Sequence, residues 1–370
     1  MKVAILTLPI STNYGGILQA YALQTVLERL GHKVTVWDTP KRQTLPLWKR
    51  PLAYFKRFIL KYIFRQPTVV FYEEHYNKSY PIISKFVMKF ISQHINRKEV
   101  DFRKLRGLER DGYEAIIVGS DQVWRPRYFP SAIENAYLSF AKGWNIKRIS
   151  YAASFGTDEW EYSWLKTKRC SRLLKDFDCV TVRELQGVDL CLKNFNMKAT
   201  WVLDPTLLLS SEDYLRLAKI DSVPANSGKL FCYILDQNQE KTQLIDKIAR
   251  DKGLTPVFMT VEKMVDNDVC PQPPVEDWLR GIIEAQFVFT DSFHACVFSI
   301  IFNKPFIVFG NSERGMSRFT SLLTALKLEK RLIYSNNDYP PSDEISYRVI
   351  NKFIDEKRKE AIMLLKNNLS

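Results

Sequence analysis

Short apolar runs recur along this chain, each ending in a polar loop and giving way to helical periodicity, and that arrangement leaves few folds open. Residues 2–8 (KVAILTL) are rich in strand formers and end in Ser11-Thr12-Asn13-Tyr14-Gly15-Gly16. Residues 17–30 follow a helical pattern, Gly31 stops it, and residues 33–37 form a second apolar run. Strand, Gly loop, helix, Gly stop and strand make the opening βαβ unit of a parallel sheet. The pattern lapses between Pro40 and about Asp111, resumes at 113–118 (YEAIIV), and continues with strands at 147–152, 179–182 and 200–203. A second series starts at Lys229. Its strands are expected at 229–235, 255–259, 287–289 and 305–309, with helices near 242–251, 275–285 and 294–303. Helices at 317–326 and 343–369 close the chain.

The expectation is an α/β protein of two Rossmann-like domains facing each other across a cleft. At 370 residues the chain exceeds the size at which single cores usually stop growing. One domain covers 1–210, with an insertion at about 40–105 that is helical, basic and aromatic; the second covers 225–340. A last helix, 341–370, is free to return to the first domain. The six cysteines, Cys170, Cys179, Cys191, Cys232, Cys270 and Cys296, form no CxxC pair. Buried reduced thiols are expected, with no metal site and no disulfide framework. The opening MKVAILTLP is too short an apolar run for a signal peptide, and no run approaches the roughly 18 apolar residues of a membrane span. These features predict a cytoplasmic protein.

Ligands of open α/β sheets bind at the carboxyl ends of strands, so the strand ends carry the functional signal. After the first strand, Asn13, Tyr14, Gly15 and Gly16 can turn backbone N–H groups and a helix dipole onto an anion, or the glycines can simply supply positive φ. After 113–118 come Ser120, Asp121 and Trp124, which can form a cleft wall or a helix cap. Ser154 follows the strand at 147–152. Arg183, beside Glu184, follows 179–182 and either faces the cleft or pairs with its neighbour. Asp291, Ser292, Phe293 and His294 join a strand to an apolar helix (ACVFSIIFN). A His there has its pKa lowered by the helix dipole and lies within reach of the cleft, or is simply a core histidine. Arg314 and Arg318 can clamp a carboxylate or phosphate, or be solvated charges at a helix end.

TNYGGILQAYAL, VGSDQVW, SYAASFG, TVRE, VLDPTLLL and TDSFHACVFSIIFNKPF resemble, in this order, blocks of the polysaccharide pyruvyl transferase family. The resemblance spans about residues 1–330 and is weakest in the insertion. It implies a glycosyltransferase-B-like fold and transfer of the enolpyruvyl unit of phosphoenolpyruvate to two sugar hydroxyls, giving a cyclic pyruvate ketal and phosphate. It implies no cofactor, phosphoenolpyruvate being a co-substrate, and an acceptor that is a sugar or a lipid-linked oligosaccharide. His294 aligns with the family's candidate general acid, a role that calls for a near-neutral pKa. Arg183 aligns with its donor-binding arginine. Better-known members carry an arginine two positions before the histidine, where this chain has Ser292, and Arg314 or Arg318 is the expected replacement. The donor site so implied also includes Gly15 and Gly16. Asn13, Tyr14, Ser120, Asp121, Trp124, Ser154 and Asp291 are assigned to the acceptor side or the cleft.

Two rival functions share the fold. A nucleotide-sugar glycosyltransferase would suit the Glu-x7-Glu spacing of Glu276 and Glu284, which lies within one ordinary helix. A non-catalytic sugar-binding relative would suit the missing arginine. The net charge of +13 is uneven: Lys41, Arg42, Lys49, Arg50, Lys56, Arg57, Lys61 and Arg65 fall in a stretch without an acid. Trp48, Leu52, Phe55, Ile59 and Tyr62 recur there at helical spacing, with Pro51 suited to a helix start. Such a helix can pack its stripe on the protein and solvate its charges, or lie through 48–65 on an anionic membrane at the inner face. No nucleic-acid motif accompanies the charge.

Overall fold

The computed structural model describes residues 1–39, 45–102, 104–222, 227–259, 264–265, 268–310, 315–335, 338 and 344–370, with backbone alone at 264, 265 and 268. The first sheet is built from β1 (Lys2–Leu6), β2 (Lys33–Asp38), β3 (Arg97–Glu99), β4 (Ala115–Gly119), β5 (Lys147–Ala153), β6 (Cys179–Val182) and β7 (Thr200–Trp201). Its order is β3-β2-β1-β4-β5-β6-β7, and every pairing is parallel. The second sheet contains β8 (Lys229–Tyr233), β9 (Thr255–Met259), β12 (Phe287–Thr290), β13 (Phe306–Phe309) and β14 (Leu332–Ile333), in the order β14-β13-β12-β8-β9, again parallel. A small antiparallel pair, β10 (Met264–Val265) and β11 (Asp268–Val269), follows β9. Both sheets are doubly wound. Their strand order reverses between β1 and β4 and between β8 and β12, the positions where such folds hold ligands.

The helices include α5 (Trp164–Leu174), α6 (Leu185–Leu190), α7 (Ser211–Ala218) and α8 (Gln239–Lys252), and those that set the site are α1 (Tyr14–Arg29), α9 (Val275–Glu284), α10 (Phe293–Ile301) and α11 (Ser317–Ala325). Asn13 caps α1, its Oδ1 accepting from the Gly15 N–H at 3.1 Å. Residues 293–300 of α10 are all buried, which fits a helix that is apolar all round. One hydrophobic core runs through both domains along α1, α9 and α10. Tyr14 stacks on Trp278 with ring centroids 5.5 Å apart, and its hydroxyl donates to the Pro273 carbonyl at 2.6 Å. The final helix, α12 (Tyr347–Asn368), reaches back across the chain: Arg358 donates to the carbonyls of Leu207 and Leu209 at 2.9 and 3.1 Å.

The insertion forms α2 (Arg50–Tyr62), α3 (Tyr72–Ile83) and α4 (Lys85–His94), then supplies β3 at the sheet edge. Three polar residues, Arg97, Lys98 and Glu99, make β3, so no apolar run marks it. An edge strand buries too little to need one. The six cysteines are free; Cys179 is half-buried and Cys270 exposed rather than buried. No helix among the described residues is long and apolar enough to cross a membrane.

Candidate active site in the interdomain cleft

A cleft of about 670 Å³ lies at the carboxyl ends of β1, β4, β8 and β12, so both reversal points open onto it. Asn13, Gly16, Asp121, Ser292, His294 and Arg318 border it. His294 is the second residue of α10, and only 5% of it is exposed. Its ring lies directly on Gly15: a Cβ at that position would sit 2.0 Å from His294 Nδ1. Neither Gly15 nor Gly16 has positive φ. The Gly15 N–H is occupied by the Asn13 cap, so close approach of the imidazole is what requires a glycine at 15.

On the other side of the ring, Nε2 lies 3.8 Å from Asp204 Oδ2 and has no hydrogen-bond partner among the described residues. Burial pushes the His294 pKa down to about 4, against the opposing pull of Asp204 and Asp121. The pKa is lowered, as the sequence position predicts, but the leading cause is desolvation rather than the helix dipole, and the value falls below the near-neutral one that a general acid calls for. In the protein alone this imidazole is neutral at pH 7.

Beneath His294 lies a buried ion cluster. Arg183 donates to Asp204 Oδ2 at 2.7 Å and to Asp121 Oδ1 at 3.3 Å, and its Nε lies 3.7 Å from Glu184 Oε1. Burial opposes the charge of Arg183, but the three carboxylates outweigh it and raise its pKa. Burial likewise pushes Asp204 and Asp121 up, and the charge of Arg183, joined by His294 where acid pH protonates it, overcomes that and holds both below their ordinary value. Glu184 goes the other way: burial raises it despite Arg183 and a bond from Ser154. Two guanidinium groups lie over the Phe293 ring, Arg183 at 5.0 Å and Arg318 at 5.4 Å from its centroid. Burial and the nearby Arg183 pull Arg318 down to about 10, so it stays charged at neutral pH.

Several residues fall elsewhere than the sequence suggested. Tyr14 and Trp124 are not cleft walls. Tyr14 packs at the domain junction described above. Trp124 is fully buried, stacked on Tyr137 at 5.1 Å with its indole N–H bonded to the Ala136 carbonyl. Both follow polar loops, but their ring area is better buried in a core than left at a water-filled wall. Ser120 and Ser154 are fully buried behind the cleft: Ser120 Oγ donates to Asp204 Oδ2 at 3.4 Å, and Ser154 bonds Glu184. Arg183, too, is beneath the cleft rather than along its border, its donors turned to carboxylates. Asp291 borders the cleft while its carboxylate accepts from the N–H groups of Leu235 and Asp236 and from Lys241 Nζ, at 2.7, 3.0 and 2.7 Å. Ser292 caps α10. Arg314 lies outside the described residues.

Sequence reasoning passed over Asp204 and Gln19. Asp204 follows β7 in VLDP, a strand-end acid before proline that was there to be read. Its Oδ1 accepts from the backbone and hydroxyl of Thr206 at 3.0 and 2.7 Å, while Oδ2 faces Arg183, Ser120 and His294. Gln19 joins the two central strand ends, donating to Thr7 Oγ1 at 3.0 Å and accepting from the Ser120 N–H at 3.2 Å. Among the described residues, no group of three or more His, Cys, Asp or Glu side chains is placed to hold a metal ion.

The family model described as polysaccharide pyruvyl transferase matches residues 13–313 of this chain. No curated protein matches it. Among solved structures, it is similar to the UDP-GlcNAc 2-epimerase from Methanocaldococcus jannaschii, with 12% identity, a TM-score of 0.51, and 98% of this chain and 92% of that one covered. It is also similar to Arabidopsis thaliana UGT89C1 complexed with UDP-L-rhamnose, with 9% identity, a TM-score of 0.50 and 98% of each chain covered. At such identities the likeness is one of fold, the glycosyltransferase-B arrangement of two Rossmann-like domains.

Proposed function

The chain belongs to the polysaccharide pyruvyl transferase family, and from that premise we propose that it moves the enolpyruvyl unit of phosphoenolpyruvate onto two hydroxyls of a sugar. The acceptor would be part of a surface or exported polysaccharide precursor, and the products a cyclic pyruvate ketal and phosphate. The observation that carries this reading is the buried His294. It borders the cleft beside the cationic Arg318, and its Nε2 lies within 4 Å of a carboxylate but is bonded to nothing among the described residues.

The chemistry needs a proton delivered to carbon. Phosphoenolpyruvate accepts it at C3 from His294, the alkene electrons forming the new C–H bond, and C2 is left as an oxocarbenium shared with the phosphate-ester oxygen. The first sugar hydroxyl attacks C2, and its proton returns to the now neutral His294. The second hydroxyl then attacks, the bond from C2 to the phosphate oxygen breaks, and phosphate leaves with the remaining proton. His294 is neutral at pH 7 in the protein alone, so the acid must form when the donor binds. A donor carrying a carboxylate and a phosphate adds negative charge beside the ring and raises its proton affinity, and Asp204 supports the imidazolium that results. Arg318 would stand in for the arginine replaced by Ser292, with Arg183 positioning Asp204 from below.

The glycosyltransferase alternative finds less support. Glu284 pairs with Lys229 at 2.8 Å on the outside of α9, and neither Glu276 nor Glu284 borders the cleft. Thermal shift with phosphoenolpyruvate and with UDP-sugars, followed by phosphate release with a panel of nitrophenyl and lipid-linked sugars, tests the choice. Stabilisation by phosphoenolpyruvate and acceptor-dependent phosphate release are expected. Stabilisation by a UDP-sugar alone would overturn the proposal, and stabilisation by neither would favour a non-catalytic sugar-binding protein.

A further inference from the structure

Most of the stripe of the basic insertion is exposed among the described residues, with Ile59 half-buried. Trp48, Leu52, Phe55, Tyr62 and Ile63 are 77%, 75%, 64%, 60% and 66% exposed, and α2 has no buried residue. Helical spacing puts Leu52, Phe55, Ile59 and Tyr62 on one side, and Phe58, 50% exposed, extends that side. The opposite side is the one fastened to the protein. Arg57 makes a two-pronged bond to Glu73 on α3, both contacts 2.8 Å, and Tyr54 packs edge-on against Phe71 at 5.0 Å. At about 100° per residue, Lys56 and Lys61 fall at the two margins of the apolar side. A contiguous patch of large apolar side chains with a polar rim marks an interaction surface.

We propose that this face of α2, with the adjoining α2–α3 groove, docks on an anionic lipid bilayer, lying in the interface with its rings among the acyl chains. The charge favours this occupant. Lys49, Arg50, Lys56, Arg57, Lys61 and Arg65 fall between residues 45 and 65 without an acid. The next two acids are already engaged, Glu73 by Arg57 and Glu74 by Lys78 at 2.9 Å. A second copy of this chain would oppose one cationic face with another. A bilayer carrying acidic headgroups offers both an apolar phase and the counter-charge. The groove, about 540 Å³, repeats the same chemistry: Phe58, Tyr62 and Phe71 form walls, with Lys61, His75 and Lys78 also lining it. The insertion also connects to the cleft. The Gln272 N–H donates to the Ile83 carbonyl at the end of α3 at 2.9 Å, and its side-chain amide donates to the Thr12 carbonyl at 2.7 Å, in the loop between β1 and α1. A docked insertion would thus be joined by two hydrogen bonds to the loop that borders the site, which suits an acceptor held at a membrane.

The test uses the full chain and needs no catalytic assay, so its outcome is separate from that of the transfer reaction. Sedimentation is measured with vesicles of phosphatidylcholine containing about one third phosphatidylglycerol, and with vesicles of phosphatidylcholine alone. Binding to the first is expected, with weak binding to the second and a marked loss at about 0.5 M salt. Each basic residue near such a surface contributes roughly fivefold in partitioning. Lys56→Glu with Lys61→Glu should therefore lower binding at least tenfold, and Leu52→Ser with Phe55→Ser should do the same. Both variants should keep the melting temperature of the wild type, since none of the four side chains is buried. Absence of binding to anionic vesicles by the monodisperse wild type overturns the proposal. So does binding that both double variants retain, or a concentration-dependent dimer that they dissolve without any vesicle binding by the parent.

Discussion

Gly15→Ala adds one methyl group at the point where the site has no room for it. The new Cβ would lie 2.0 Å from His294 Nδ1 and 2.2 Å from Cγ, whereas ordinary contact begins at 3.4 Å. The imidazole must therefore move by roughly 1 Å or more, and a displacement of that size in a catalytic group costs on the order of 100-fold in rate. That loss equals about 2.7 kcal/mol of transition-state stabilisation. Stability should change far less. Overpacking costs about 1–3 kcal/mol, while alanine in place of glycine in a helix returns up to about 1 kcal/mol. The signature is thus a fall in kcat for acceptor-dependent phosphate release, with a melting temperature lowered by only a few degrees. Steady-state kinetics and a thermal melt on the same preparation read both. A variant with kcat within threefold of wild type and an unchanged melt would refute the claim that Gly15 seats the histidine.

Arg318→Ala should raise KM for phosphoenolpyruvate about 10- to 100-fold, the usual worth of a hydrogen bond to a charged group; Arg318→Lys should recover part of it, and an unchanged KM would return the donor cation to Arg314. The depressed pKa of His294 also makes stability depend on pH. Its ordinary value is 6.5 and its folded value about 4, so the unfolded chain takes up a proton over that window and the folded chain does not. Stability should therefore fall as pH drops from 6.5 to 4, by up to about 3 kcal/mol, and be insensitive to this group above 6.5. His294→Gln should flatten that slope in urea titrations; an equal slope in the variant would show that the imidazole is not desolvated.

The parallel strands of both sheets could be read from the sequence because strands buried on both faces are continuous apolar runs, as in KVAIL and FVFT. β3 could not, being three polar residues at an edge. The strand-end rule brought Asp121, Ser292 and His294 to the cleft, since those positions depend on chain direction alone. Which side chains meet there does not. Asp204 lies 90 residues before His294, and only the packing of two domains puts their atoms 3.8 Å apart. Tyr14 and Trp124 were misplaced for a related reason: an aromatic after a polar loop can turn either to the cleft or into the core, and local sequence does not set the choice. The amphipathic stripe of α2 likewise left packing and solvent exposure open, and the partner helix, through Arg57 and Glu73, decided it.

The central claim, that His294 delivers a proton to the methylene carbon of phosphoenolpyruvate, is tested most directly by carrying out the transfer in D2O and examining the ketal methyl group by NMR. With wild-type protein and a competent acceptor, the product should carry one deuterium in the methyl group for each phosphate released, and His294→Gln should form neither labelled ketal nor phosphate above background. Labelled ketal formed by His294→Gln at the wild-type rate would contradict the account.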